Sequence, residues 1–145
     1  MKVEAKLTGF EDLSRLLKQL PQKVEDKILQ NATMAAAREG AKAIKAAAPS
    51  GLEQSPMSQK YGSLKKNIKA KPLKKLRREK GLRGARISTG AAFWGYFYEK
   101  GTRYQPARPY FDNAFENSAS SMGEILRTKI AEGIEKMADT FKGKR

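Results

Sequence analysis

Between Lys60 and Arg86 the chain carries twelve lysines and arginines against one acid, Glu79, a local net charge of +11. The other 118 residues share the remaining +4 of a total of +15. A field that concentrated repels itself, holds water and attracts polyanions: nucleic acid, anionic lipid or an acidic protein surface. The segment therefore reads as an arm. Pro72, Gly81 and Gly84 interrupt it, which predicts a long β-hairpin or mobile arm whose tip lies between Pro72 and Gly84. Its candidate DNA- or partner-binding residues are Lys65, Lys66, Lys69, Lys71, Lys74, Lys75, Arg77, Arg78, Lys80, Arg83 and Arg86, each able to pair with a phosphate and release counterions. The bland alternative is a solvated face that keeps the protein soluble. Tyr61 is alone among these cations, so base stacking of a single strand is not indicated. Gly81-Leu82-Arg83-Gly84 fits the two-glycine clamp of KH domains, but Pro72 argues against the preceding helix such a clamp needs, and a turn is the better reading.

The flanks carry the periodic apolar pattern. Residues 2–7 alternate and suit an edge strand, and Thr8 with Glu11 reads as a capping box opening a helix with Leu13, Leu16, Leu17 and Leu20 on one face. Pro21 ends that helix or begins the next, which runs to about Ala47 on Val24, Ile28, Ala32, Ala35, Ala36 and Ile44. Its alanine-rich half gives a thin face that lets another helix approach closely. Residues 49–62 read as a loop. Arg86-Ile87-Ser88 and Phe93 to Tyr98 read as strands, the second aromatic on both faces. Pro109 suits the first turn of a final helix reaching about Phe141, with a possible break near Ser118 to Gly123 and a weak point at Gly133. The fold class predicted is α+β: a small, mainly antiparallel sheet with a long basic hairpin or arm, flanked by two N-terminal helices and a long C-terminal helix. One domain, 1–145, is expected, divided into 1–48, the loop and arm of 49–92, and 93–145.

With no cysteine, disulfides and thiolate metal sites are excluded, and with no histidine the usual general base is missing. No phosphate-binding glycine loop, nucleophile elbow or carboxylate cluster appears. The expectation is a non-enzymatic protein without cofactor. No apolar run is long enough to span a bilayer, and synthesis in the cytoplasm is expected.

The most distinctive stretch is Phe93-Trp94-Gly95-Tyr96-Phe97-Tyr98-Glu99-Lys100-Gly101-Thr102, followed by Pro106-Ala107-Arg108-Pro109. A carboxylate closing an apolar stretch beside an arginine-bearing connector predicts an ion pair of Glu99 with Arg108 or Arg103. With Leu7-Thr8-Gly9-Phe10, Leu20-Pro21, Ala48-Pro49, Gly62 to Ile68 and Ala107 to Phe111, this stretch resembles the tail-completion or neck proteins of long-tailed, lambdoid bacteriophages. Lys100 stands where that family usually has an aromatic residue. The resemblance implies Glu99, Gly101, Thr102, Arg108 and Pro109 as structural motif residues. It further implies a virion protein of the head–tail junction, a homo-oligomer with a hexameric ring as the expected form, and other connector and tail proteins as partners. A basic nucleic-acid-binding protein using residues 60–86 on phosphates is the rival reading.

Overall fold

A computed structural model describes residues 10–49, 55–81 and 83–143. The predicted strand at 2–7 and the Thr8 cap lie outside the described residues. Helix α1 (Phe10–Lys18) buries Leu17 and half-buries Leu13, whereas Leu16 stays 44% exposed. Pro21 is the N-cap of α2 (Gln22–Ala47), a position where a missing N–H costs nothing. The helix stops at Ala48, whose extended backbone leads into Pro49.

Helix α7 (Phe111–Gly143) is continuous; the possible break near Ser118 to Gly123 does not occur, because Ser118 and Gly123 are buried within the helix. It runs along α2, and small residues make the contact close. A Cβ built on Gly40 would lie 2.5 Å from Met122 Sδ and 2.9 Å from Ile87 Cδ1, and one on Gly133 would lie 2.9 Å from Ile28. Gly133 thus contributes through contact what it loses in helix propensity. Two apolar clusters form along this pair. Leu17, Ile28, Ala32 and Ile130 make one, and Ala41, Ile44, Ala48, Leu64, Ile68, Ala92, Trp94, Tyr110 and Ala114 make the other.

The second cluster is closed by short elements. Where a loop is predicted at 49–62, the structure has α3 (Pro56–Tyr61), started by Ser55, whose Oγ accepts from Ser58 N at 3.2 Å. Ser63 does the same for α4 (Leu64–Asn67). Strands β1 (Lys69–Pro72) and β2 (Ala85–Ser88) form the two-stranded antiparallel sheet, with Ala70 opposite Ile87 and both packed on the core. The hairpin is therefore present, but short, and its tip is α5 (Lys74–Lys80), ended by Gly81 in the left-handed conformation.

The strand predicted at Phe93 to Tyr98 is a turn followed by α6 (Gly95–Lys100). Its amides bond back along the chain: Gly95 to Ala92, Tyr96 to Phe93, Tyr98 to Trp94. An apolar run without clear alternation suits helix and strand alike. Gly95 decides for close packing, since a Cβ there would meet Leu64 Cδ1 and Tyr110 Oη at 2.7 Å. The architecture is α+β, mostly helical, with one small antiparallel sheet and a long C-terminal helix.

Candidate functional site

Ten of the eleven arm cations reach solvent: Lys65 is half-buried, and Lys66, Lys69, Lys71, Lys74, Lys75, Arg77, Arg78, Lys80 and Arg86 are exposed. The hairpin register sets Lys71 directly opposite Arg86. Like charges so paired repel, and an anion lying between them would relieve that. Arg83 is the exception. Its side chain is 8% exposed and pairs with Asp26 of α2, Nη2 to Oδ1 at 2.6 Å, while Nε and Nη1 are buried without a hydrogen-bond partner. Arg83 ties the hairpin to α2, and losing its carboxylate would strand a buried guanidinium. The arm accordingly lies on α2 and does not project from it. Leu73 and Leu76 close over Gly84, and Arg77 shares a hollow of about 290 Å³ with Lys23, Asp26 and Lys27.

That hollow brings in cations the sequence reading missed. Lys23 and Lys27 also line a cleft with Arg38, and Arg38 lines another with Lys42, Lys45 and Lys69. Their signal was present as spacing: 23, 27, 38, 42 and 45 recur at the helical period on α2.

The motif residues assemble at the start of α7. Glu99, 9% exposed, accepts through Oε2 from Tyr110 N (2.8 Å) and Phe111 N (2.9 Å), and through Oε1 from Asp112 N (3.1 Å). The first amides of a helix have no intrahelical acceptor and carry its positive end, so a carboxylate from another element is held there. The predicted ion pair is therefore replaced by a cap: Arg103 and Arg108 are exposed, and neither pairs with Glu99. Arg108 contributes its backbone instead, its N–H donating to Tyr98 O at 2.7 Å. Thr102 Oγ1 accepts from Tyr104 N and Gln105 N, closing the turn. Gly101 has φ +77, and Pro109 O accepts from Asn113 Nδ2.

Tyr110 completes the joint by donating to Gly95 O at 3.1 Å. Burial, then the charge of Glu99, push its hydroxyl pKa from 10.0 up to about 12. The neutral phenol is thus favoured by the fold. Its stabilisation is complete below pH 10 and is lost as pH rises from 10 towards 12, where the unfolded chain has released its proton and the folded chain has not. Tyr110→Phe is expected to flatten this part of the stability–pH curve relative to wild type, measured by urea unfolding between pH 9 and 12.

Beside this joint lies an apolar face. Phe93 (48% exposed), Phe97 (44%) and Tyr96 (64%) continue one another, and Tyr61 meets Phe93 edge-on at 6.0 Å. Trp94 lies beneath, 8% exposed, with its Nε1 unpartnered. Among the described residues no cluster of acidic, His or Cys side chains could hold a metal, and no helix is long and apolar enough to cross a membrane.

A cationic face, a capped helix joint and a bare aromatic face define a protein of surfaces, suited to macromolecular assembly. The chain belongs to the HK97-gp10-like family: the family model described as "Bacteriophage HK97-gp10, putative tail-component" matches residues 11–101, almost two thirds of its length. It is accordingly a structural component of a bacteriophage tail. The matched span includes the arm and α2 and ends at Glu99-Lys100-Gly101. No curated protein and no solved structure matches the chain.

Proposed function

We propose that the chain works at the junction of head and tail, completing the tail or joining it to the head as one copy of a ring around the DNA channel. Six copies would match the symmetry of a phage tail. The observation that carries this reading is the aromatic face of Tyr61, Phe93, Tyr96 and Phe97. Contiguous exposed aromatics are rare on monomeric proteins, and aromatic residues are enriched where proteins meet. Segments 55–68 and 87–98, which form this face, contain no Asp or Glu, so an apolar partner surface with an acidic rim fits it.

The exposed cations of α5 serve the same joint as a second point of attachment. Replacing Lys74, Lys75, Arg77 and Arg78 with glutamine leaves the fold intact, since all four are exposed, and is expected to impair the joining of heads to tails. The measure is the yield of infectious particles from a phage carrying the variant, with circular dichroism as the control on folding. Normal yield would reduce α5 to a solubilising surface.

A further inference from the structure

We infer that the outer face of α2, extended by Lys69 and Arg77, is a track for the phosphate backbone of double-stranded nucleic acid. At 100° per residue, Lys23, Lys27, Arg38, Lys42 and Lys45 fall within a sector of roughly 100° of the helix. The acids of α2, Glu25, Asp26 and Glu39, lie outside it. All five cations are exposed, as are Lys69 and Arg77. Shared hollows make them continuous: Arg77 with Lys23 and Lys27, these two with Arg38, and Arg38 with Lys42, Lys45 and Lys69. The acids that do reach these hollows are already answered, Asp26 by Arg83 at 2.6 Å and Glu132 by Lys129 at 3.5 Å.

Geometry and chemistry select the ligand. From Lys23 to Lys45 the helix rises about 33 Å, close to the roughly 34 Å of one duplex turn. Lys23–Lys27, Arg38–Lys42 and Lys42–Lys45 are repulsive i,i+4 or i,i+3 pairs, which weaken the helix until an anion lies across them. A protein partner is disfavoured, because the centres of protein interfaces are depleted in lysine and enriched in aromatic residues. The exposed aromatics sit instead on α3, on α6 and in the turns before and after it. A single strand is disfavoured for the same reason, since it is held by stacking. What remains is a row of point charges matched to phosphates and blind to sequence.

This deepens the reading of a ring around DNA, and only the identity of the duplex as the packaged genome rests on that reading. The experiment uses the full chain and a 30-base-pair duplex of arbitrary sequence, with affinity followed by fluorescence anisotropy between 50 and 200 mM salt. Because any protein of charge +15 attracts DNA, two variants of equal charge are compared. One is Lys23→Gln, Lys27→Gln, Lys42→Gln, Lys45→Gln; the other is Lys60→Gln, Lys66→Gln, Lys100→Gln, Arg103→Gln, on α3, α4, α6 and the following turn. Each lost phosphate contact removes about 0.9 from the slope of log affinity against log salt. The track variant is expected to lose about 3.6 from that slope and to bind at least 10-fold more weakly, and the second variant to change the slope by less than about 1. Lys→Arg at the four track positions should preserve binding, which separates charge from folding. Equal losses in the two glutamine variants would overturn the track. So would poly-L-glutamate competing as well as DNA, which would make an acidic protein the ligand. Duplex binding as expected, by a protein missing from purified particles, would leave the track standing and remove the neck role alone.

Discussion

Glu99→Ala is expected to destabilise the protein by about 3 kcal/mol. The carboxylate accepts three backbone hydrogen bonds at the start of α7, each charge-assisted, one buried and two partly buried. Bonds of that kind contribute roughly 1.5–3 kcal/mol singly and less than their sum together. Alanine would leave the amides of Tyr110, Phe111 and Asp112 to share whatever water enters. For a chain of 145 residues that corresponds to a fall in Tm of roughly 10 °C. Glu99→Gln should recover part of the loss, because one oxygen remains to accept while the amide nitrogen faces donors. A loss below about 1 kcal/mol for Glu99→Ala, by urea unfolding, would contradict the capping role.

Gly101→Ala should be comparably damaging, and for a separate reason. Gly101 has φ +77 and ψ 167, a region essentially closed to other residues and costing about 1–3 kcal/mol to occupy. A Cβ there would lie 2.7 Å from Ala107 N, 3.0 Å from Ala107 Cα and 3.2 Å from Pro106 C. All three are backbone atoms, so no rotamer change can relieve the contact. The turn through Thr102 and Gln105 would move off α6, taking with it the bond from Arg108 N to Tyr98 O. A total of about 3–4 kcal/mol is expected. Gly81→Ala is the control. Its φ is +64, but nothing lies within 4 Å of its added Cβ, and a cost of only about 1 kcal/mol is expected. Equal losses at the two positions would show that contact with Ala107 is unimportant.

The long helices were legible because a buried stripe repeats through them: Ile28, Ala32 and Ala36 on α2, and Leu126, Ile130 and Ile134 on α7. The hairpin was legible in its legs, since Ala70 and Ile87 alternate with charged or polar neighbours. Its tip was not. Lys74 to Lys80 has good helix formers, but repulsion among its cations hides that local preference, and α5 forms with Leu73 and Leu76 closed over Gly84. Phe93 to Tyr98 misled because aromatic residues favour strands, whereas the approach of Gly95 to Leu64 and Tyr110 is a tertiary fact. Glu99, a carboxylate closing an apolar run, pointed correctly to a joint at the last helix, yet its partners are amides, which a one-letter code does not display. The cations of α2 escaped notice because Glu25, Asp26 and Glu39 alternate with them along the chain, and only the helical wheel separates the two signs. The burial of Arg83 was not legible, because nothing in its neighbours announces Asp26, 57 positions earlier.

The chain belongs to a tail-component family, and the two proposals made for its aromatic and cationic faces combine into one expectation: a position between head and tail with α2 turned towards DNA. Electron cryomicroscopy of purified particles tests it most directly. The expected map contains a ring of this fold at the junction, its aromatic faces covered by neighbouring protein and Lys23 to Lys45 lining the channel. A particle lacking the chain, or a ring in which those cations face outward into solvent, would contradict it.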